Sequence, residues 1–171
     1  MRKLLIVWVF LAATGAAMGQ ELTQTRQTAA RAAIDSVLNE RFLAGWNRHD
    51  AHLFASAFAL DADFTNVLGM SASGRDNIEK FHAQAFERYF LHSQQSAEIQ
   101  KVRFLNADVA VVDVRWQMTG AVDANGKVMP TRSGLLDLVF AAPGGEWLIT
   151  VMHNIELTAA ANHALAPEKK R

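Results

Sequence analysis

Between Gln24 and Asn47 the apolar positions Ile34, Leu38, Phe42 and Gly45/Trp46 recur at three- and four-residue spacing, while Arg31, Asp35, Asn39 and Arg48 fall elsewhere on the wheel. That period predicts one long amphipathic helix with a single packed stripe. Asp50 is a good N-cap for a shorter second helix over Ala51–Ala59, whose apolar side is Leu53, Phe54 and Phe58. Asp61–Val67 reads as a strand and Gly69–Gly74 as a turn region. A third helix follows over Arg75–Phe90, with Ile78, Phe81, Ala85 and Tyr89 as its apolar positions.

After Leu91 the period drops from about 3.6 to 2. Four strands are predicted, at Ala97–Leu105, Val109–Thr119, Thr131–Ala141 and Glu146–Leu157. Hairpin chemistry separates them, in Asn106–Asp108, Asp123–Gly126 and Pro143–Gly145. Helices first and an antiparallel meander afterwards predict an α+β domain with its helices on one side of the sheet. Parity then assigns the faces. Val112, Val114 and Trp116 alternate with Asp113 and Arg115, and Leu136, Leu138 and Phe140 with Leu135, Asp137 and Val139. The same rule places Trp147, Ile149, Val151 and His153 together on the inner face. It leaves Leu135, Val139, Leu148 and Met152 on an outer face too apolar for free solvent, which predicts a homodimer through that face.

The ends add an address. Arg2 and Lys3, the apolar run Leu4–Ala13 and the small residues Ala17 and Gly19 form a signal-peptide pattern over residues 1–19. The run is too short for a bilayer span of roughly 20 residues. A secreted or periplasmic protein starting near Gln20 is expected, with no membrane association after cleavage, one domain over residues 20–157 and a loose tail over 158–171. The chain has no Cys, so in an oxidising compartment it depends on its core alone. Its 17 basic and 17 acidic residues form no basic cluster, which gives no footprint for nucleic acid.

Candidate chemistry lies where polar residues share an apolar face. His82 falls in the stripe of Ile78 and Ala85, Asn66 shares the parity of Phe64 and Leu68, and His153 is the single polar member of its inner row. Imidazole gives or takes a proton near neutral pH, and an amide steadies a developing oxyanion. The three are therefore candidate catalytic residues lining an apolar cavity, with Trp46, Phe64, Tyr89 and Trp116 as candidate substrate-binding residues. The same positions also suit core histidines bonded to backbone carbonyls and a structural Asn at a strand end. Asp61 and Asp63 begin a strand near the expected cavity mouth. His49 and His52 lack a third ligand at metal spacing and read as surface residues, so no metal is expected. No phosphate loop, nucleophile elbow, H-E-x-x-H or Cys nucleophile is present, and no cofactor is implied.

Several motifs in this order are familiar. They are Trp46-Asn47-x-x-Asp50, Asp61-Ala62-Asp63-Phe64-x-Asn66-Val67-x-Gly69, Gly74-Arg75-x-x-Ile78-x-x-x-His82, Val102-Arg103 with Asp108, and Trp147-x-Ile149-x-x-x-His153-Asn154. Together they resemble the nuclear transport factor 2-like superfamily, which includes ketosteroid isomerase, scytalone dehydratase and SnoaL-like polyketide cyclases. Within it, the chain most resembles the SgcJ/EcaC group of SnoaL-like proteins, over about Ala33–Asn154. The resemblance implies a cone with a pocket between sheet and helices, usually dimeric. It also implies cofactor-free acid–base chemistry of lyase, isomerase or cyclase type on a small hydrophobic carbonyl or hydroxyl compound. The alternative it leaves open is a non-catalytic small-ligand-binding or dimeric association domain. The Tyr/Asp oxyanion pair of ketosteroid isomerase has no match, since the single Tyr is Tyr89 on the third helix.

Overall fold

A continuous helical run over residues 23–48 opens the computed structural model, which describes residues 23–158. The leader expected at 1–19, and all but the first residue of the expected tail, lie outside the described residues. The predicted stripe is the buried one: Ala30, Ile34, Leu38, Phe42 and Trp46 all face the core. The run is α-helical over 23–36 (α1), widens to a π-helix over Val37–Leu43, and closes as α2 (Ala44–Arg48). In the widened part the Ala44 N–H reaches the carbonyl of Asn39, five residues back, and Val37 and Leu43 are buried beside Leu38 and Phe42. His49 ends the run in the left-handed conformation (φ 55°), and the Asp50 N–H returns to the carbonyl of Gly45. Asp50 then caps the next helix as predicted, its Oδ1 accepting from the Leu53 N–H at 2.9 Å.

That helix, α3 (Ala51–Ala55), is shorter than the sequence pattern suggests because β1 (Phe58–Thr65) begins almost at once. α2 and α3 cross in backbone contact at Gly45, where a Cβ would lie 2.3 Å from the Phe54 nitrogen. The turn region holds a short strand, β2 (Ser71–Ser73), too brief to show a period. Then come α4 (Arg75–Arg88), β3 (Gln94–Phe104), β4 (Val109–Thr119), β5 (Arg132–Ala141) and β6 (Leu148–Glu156). The six strands form one sheet in the order β2-β1-β6-β5-β4-β3, antiparallel throughout except for the parallel pair β1/β6. The α+β class is as predicted, with the N-terminal helices followed by a mainly antiparallel sheet.

Bulges in β3 and β6 bend the sheet and decide which side chains enter the core. In β3 the register shifts between Ile99 and Lys101, so Gln100 is extra. In β6, Val139 pairs with Val151 but Phe140 pairs with Ile149, so Thr150 is extra. An added residue reverses every face beyond it. Ile149 and Met152 are therefore both buried, Asn154 follows on the inner face, and Val151, His153 and Ile155 turn outward. The expected inward direction of Val151 and His153 is thus corrected, as is the expected outward Met152. His153 lies exposed, in register with Asp137 of β5. On the same outer face Val111, Val139 and Val151 sit side by side across β4, β5 and β6, with Leu135 opposite Ile155.

Truncating the core members Leu138 or Ile149 to Ala should cost about 2–5 kcal/mol in urea melts. His153→Ala, at an exposed position, should stay within about 0.5 kcal/mol of the parent. A large loss for His153→Ala would mean that β6 has no bulge and that its faces alternate without interruption.

Candidate functional site

Ile78, His82 and Phe86 fall at four-residue spacing on α4, and all three are buried. His82 is 3% exposed. Its Nδ1 lies 2.8 Å from the carbonyl oxygen of Ile78, one turn back. A carbonyl only accepts, so Nδ1 carries the proton and Nε2 holds the lone pair. Five rings surround the imidazole: Phe54 at 4.1 Å between centroids, Phe64 at 4.8 Å, Phe81 at 5.3 Å, Phe86 at 6.0 Å and Trp46 at 6.2 Å. Burial in this hydrocarbon box disfavours the imidazolium and pushes the pKa down to about 4, the bond to Ile78 opposing it only in part. His82 is therefore neutral at pH 7, with its basic nitrogen turned away from the helix backbone.

The box is held against the sheet by the segment following the long helix. The Trp46 indole N–H donates to Ser93 Oγ at 3.1 Å. Asn47 grips the backbone of Gln95 at both ends, donating from Nδ2 to its carbonyl at 2.8 Å and accepting its N–H on Oδ1 at 2.7 Å. His49 donates from Nε2 to the Ser93 carbonyl at 3.1 Å. Outside this clamp a groove of about 480 Å³ runs between His49, Asp50 and Ala51 on one side and Ala83 and Glu87 of α4 on the other. Phe86 belongs to both, lining the groove and packing on His82 and Trp46.

The expected convergence of His82, His153 and Asn66 does not occur. His82 is inside, and His153 is on the far face of the sheet. Asn66 folds into the turn after β1, where its Oδ1 accepts the N–H groups of Leu68 and Met70, both at 2.9 Å. Parity brought Asn66 to the inner side on paper, but the strand ends at Thr65 and parity ends with it. Of the four expected binding residues, Trp46 and Phe64 belong to the box. Tyr89 is 41% exposed at the end of α4. Trp116 is buried elsewhere, donating to Asn154 Oδ1 at 2.9 Å and lying over Gly134, where a Cβ would come within 2.4 Å of its ring. Asp61 and Asp63 are exposed, the latter accepting from Ser73 Oγ. Among the described residues no group of three or more His, Asp or Glu side chains is placed to hold a metal ion.

The sequence reading missed Phe54, Phe81 and Phe86 as walls of the box, though Phe54 and Phe81 were legible as apolar helix positions. It also missed His49 and Gln95. His49 is half-buried, not a surface residue, because the left-handed turn swings it onto β3. Gln95 fell outside the predicted strand, which was begun three residues late; extended to Gln94, the period places Ser93, Gln95 and Ala97 on one face.

The depressed pKa of His82 has a sign in stability. Above pH 6.5 the ring is neutral in both the folded and the unfolded chain. As pH falls from 6.5 toward 4 the unfolded chain takes up a proton that the folded one refuses, and stability is lost. The loss approaches about 3 kcal/mol for a shift of this size. His82→Gln, which does not titrate there, should show a shallower fall in denaturant stability between pH 6.5 and 4. An equal slope for the two proteins would place the ring in water.

Comparison with known proteins agrees with the fold. Residues 39–153 match the family model of the SnoaL-like domain. A solved structure from Caulobacter vibrioides, an uncharacterised protein with a cystatin-like fold, is 26% identical, with a TM-score of 0.70 over 78% of this chain and 94% of that one. A domain of unknown function with the same fold from Nostoc punctiforme is also 26% identical, with a TM-score of 0.66 over 82% and 83% of the two chains. The hexachlorocyclohexane dehydrochlorinase LinA-type3 from Novosphingobium barchaimii shares the fold at 16% identity, with a TM-score of 0.69 over 79% and 91%. No curated protein matches the chain. The match to the family model, from the later part of the long helical run into β6, makes the chain a member of the SnoaL-like domain family.

Proposed function

We propose that this protein binds a small, largely apolar molecule beside His82 and carries out acid–base chemistry of lyase, isomerase or cyclase type on it. The observation behind this reading is the state of the imidazole: its Nδ1–H is fixed on Ile78, and its Nε2 lone pair is held neutral in an aromatic box. A base of this kind removes a proton from a carbon made acidic by a neighbouring carbonyl, or from a hydroxyl. The imidazolium so formed is strongly acidic in hydrocarbon surroundings, so it returns the proton at once to a second carbon or to a leaving group. No net proton is gained or lost, and no cofactor is needed for such a transfer. The groove behind Phe86 supplies the approach. The dehydrochlorinase shares only the fold with this chain, and the reading rests on His82.

A second reading, a binding domain without turnover, has one observation in its favour: the five rings around His82 are four phenyls and an indole, with no second titratable group among them. His82→Gln separates the readings, since it keeps much of the volume and the capacity to accept a hydrogen bond. Turnover of a carbonyl or hydroxyl compound lost by more than about a hundredfold, with the melting temperature nearly unchanged, supports His82 as the base. A large fall in melting temperature with bound molecules retained makes it a core histidine.

Within the family we place the chain beside the SgcJ/EcaC group, on the motif series from Trp46 to Asn154. We further infer that it is exported and acts as a homodimer through the outer sheet face. The Val111–Val139–Val151 row and the Leu135–Ile155 pair form an apolar strip across three strands, too continuous to sit single in water. Mature protein recovered from the periplasm or medium should begin within a few residues of Gln20. It should sediment at micromolar concentration with twice the chain mass, and Val139→Glu should halve that mass. A cytoplasmic protein starting at Met1 or a clean monomer would remove the respective inference.

A further inference from the structure

The Oε1 atom of Gln95 is the one side-chain polar atom among the described residues that is buried without a hydrogen-bond partner. Gln95 is 8% exposed and stands on the inner face of β3, opposite Met118 of β4. Arg132 of β5 lies beyond Met118, and Trp116 occupies the next row. Folding does not require this amide. Asn47 holds Gln95 only through its backbone N–H and carbonyl, which any non-proline residue supplies. An apolar side chain of equal length would serve the clamp and remove an unsatisfied acceptor from the interior. Several neighbouring donors are committed within the chain. The Trp46 indole N–H goes to Ser93, the Trp116 N–H to Asn154, and Arg132 gives Nε and Nη2 to Glu156, both at 2.7 Å.

From this we infer that Gln95 is a ligand-contacting residue, its Oε1 accepting a hydrogen bond from a hydroxyl or N–H of the bound small molecule. Trp116 and Met118 beside it offer a flat and a pliable apolar surface. A planar apolar molecule bearing a hydroxyl satisfies all three, whereas the same molecule with its oxygen capped leaves Oε1 as it is. This rests on the reading of an interior small-molecule site. It narrows the carbonyl-or-hydroxyl class to compounds that carry a donor.

The test compares 2-naphthol with 2-methoxynaphthalene, matched in ring system and differing in the donor, by quenching of tryptophan fluorescence. The parent protein should bind the naphthol about tenfold more tightly. Gln95→Met should erase that preference, keep the affinity for the ether within about twofold, and melt at the same temperature or higher. A merely structural Gln95 would not move the preference. If Gln95→Met fails to fold, Gln95→Leu carries the same comparison. Preference unchanged in the variant, or no binding of either probe by the parent, overturns the assignment. A crystal structure with water alone on Oε1 at saturating naphthol overturns it too. His82→Gln tested on the same probes keeps the two ideas apart. Loss of binding there with the naphthol preference intact in Gln95→Met leaves the site at His82 standing and removes Gln95 from it.

Discussion

Trp46 ties the helix layer to the sheet by both packing and a hydrogen bond. Its ring packs on Phe54 of α3, on His82 and Phe86 of α4 and on Phe90, and its N–H is spent on Ser93 at the entrance to β3. A buried indole N–H without a partner would cost about 1–3 kcal/mol. The helix layer can therefore settle only where Ser93 meets that nitrogen, and Asn47 and His49 repeat the constraint on the next backbone groups of the strand. Three successive side-chain-to-strand contacts fix how α2 lies on the sheet edge. The aromatic box around His82 follows from that placement, because α3 and α4 supply its walls only when Trp46 holds the helix ends together. Gly45 completes the constraint by letting the α3 backbone approach α2 where no side chain would fit.

The sequence showed the elements well and their faces unevenly. Periodicity located the long helix, α4 and β4 nearly to the residue, because each buries one side over ten or more positions. It placed His82 correctly, since Ile78, His82 and Phe86 lie within one uninterrupted helix. It failed at His153 for a local reason. Parity carries across a strand only while the strand is regular, and Thr150 adds one residue that no hydrophobic pattern reveals: Ile149, Val151 and Met152 are all apolar, so either alternation looks plausible. Asn66 failed similarly, one residue beyond the end of β1. The burial of His82 on an uninterrupted helix was thus legible, and the directions of His153 and Asn66, near a bulge and a strand end, were not. Two members of the clamp were legible in the motif Trp46-Asn47-x-x-Asp50, but their purpose was not, because their partners lie more than forty residues away.

The bulge that displaces His153 also shapes the outer face. It sets His153 opposite Asp137, which itself lies opposite Asp113, with Lys101 in register on the other side. Two carboxylates directly across adjacent strands repel, and the flanking Lys101 moderates that repulsion at one end of the row. The apolar strip of Val111, Val139 and Val151 runs immediately alongside. One inserted residue in β6 therefore removes a charge-bearing side chain from the core, adds Met152 to it, and gives the outer surface a striped pattern of charge and hydrocarbon.

Inside, the same economy leaves His82 as a single base among hydrocarbon rings, and this bears on which chemistry the box suits. A reaction that needs one group to deprotonate and another to protonate would call for two side chains of separated pKa. In the proposed reaction one imidazole would meet the substrate, and its low pKa would make the protonated form short-lived. That combination suits a proton moved between two positions of one molecule, or from a carbon to a departing group, and it suits poorly any step that must store a proton while solvent exchanges. Hydrolysis would require a bound water activated by a base of higher pKa than this surround allows. Desolvation of the ring, which weakens the base, is also what keeps water from competing for the proton during transfer. The five rings therefore lower the basicity of His82 and would shield the proposed transfer in the same stroke, a balance that suits an internal proton shift.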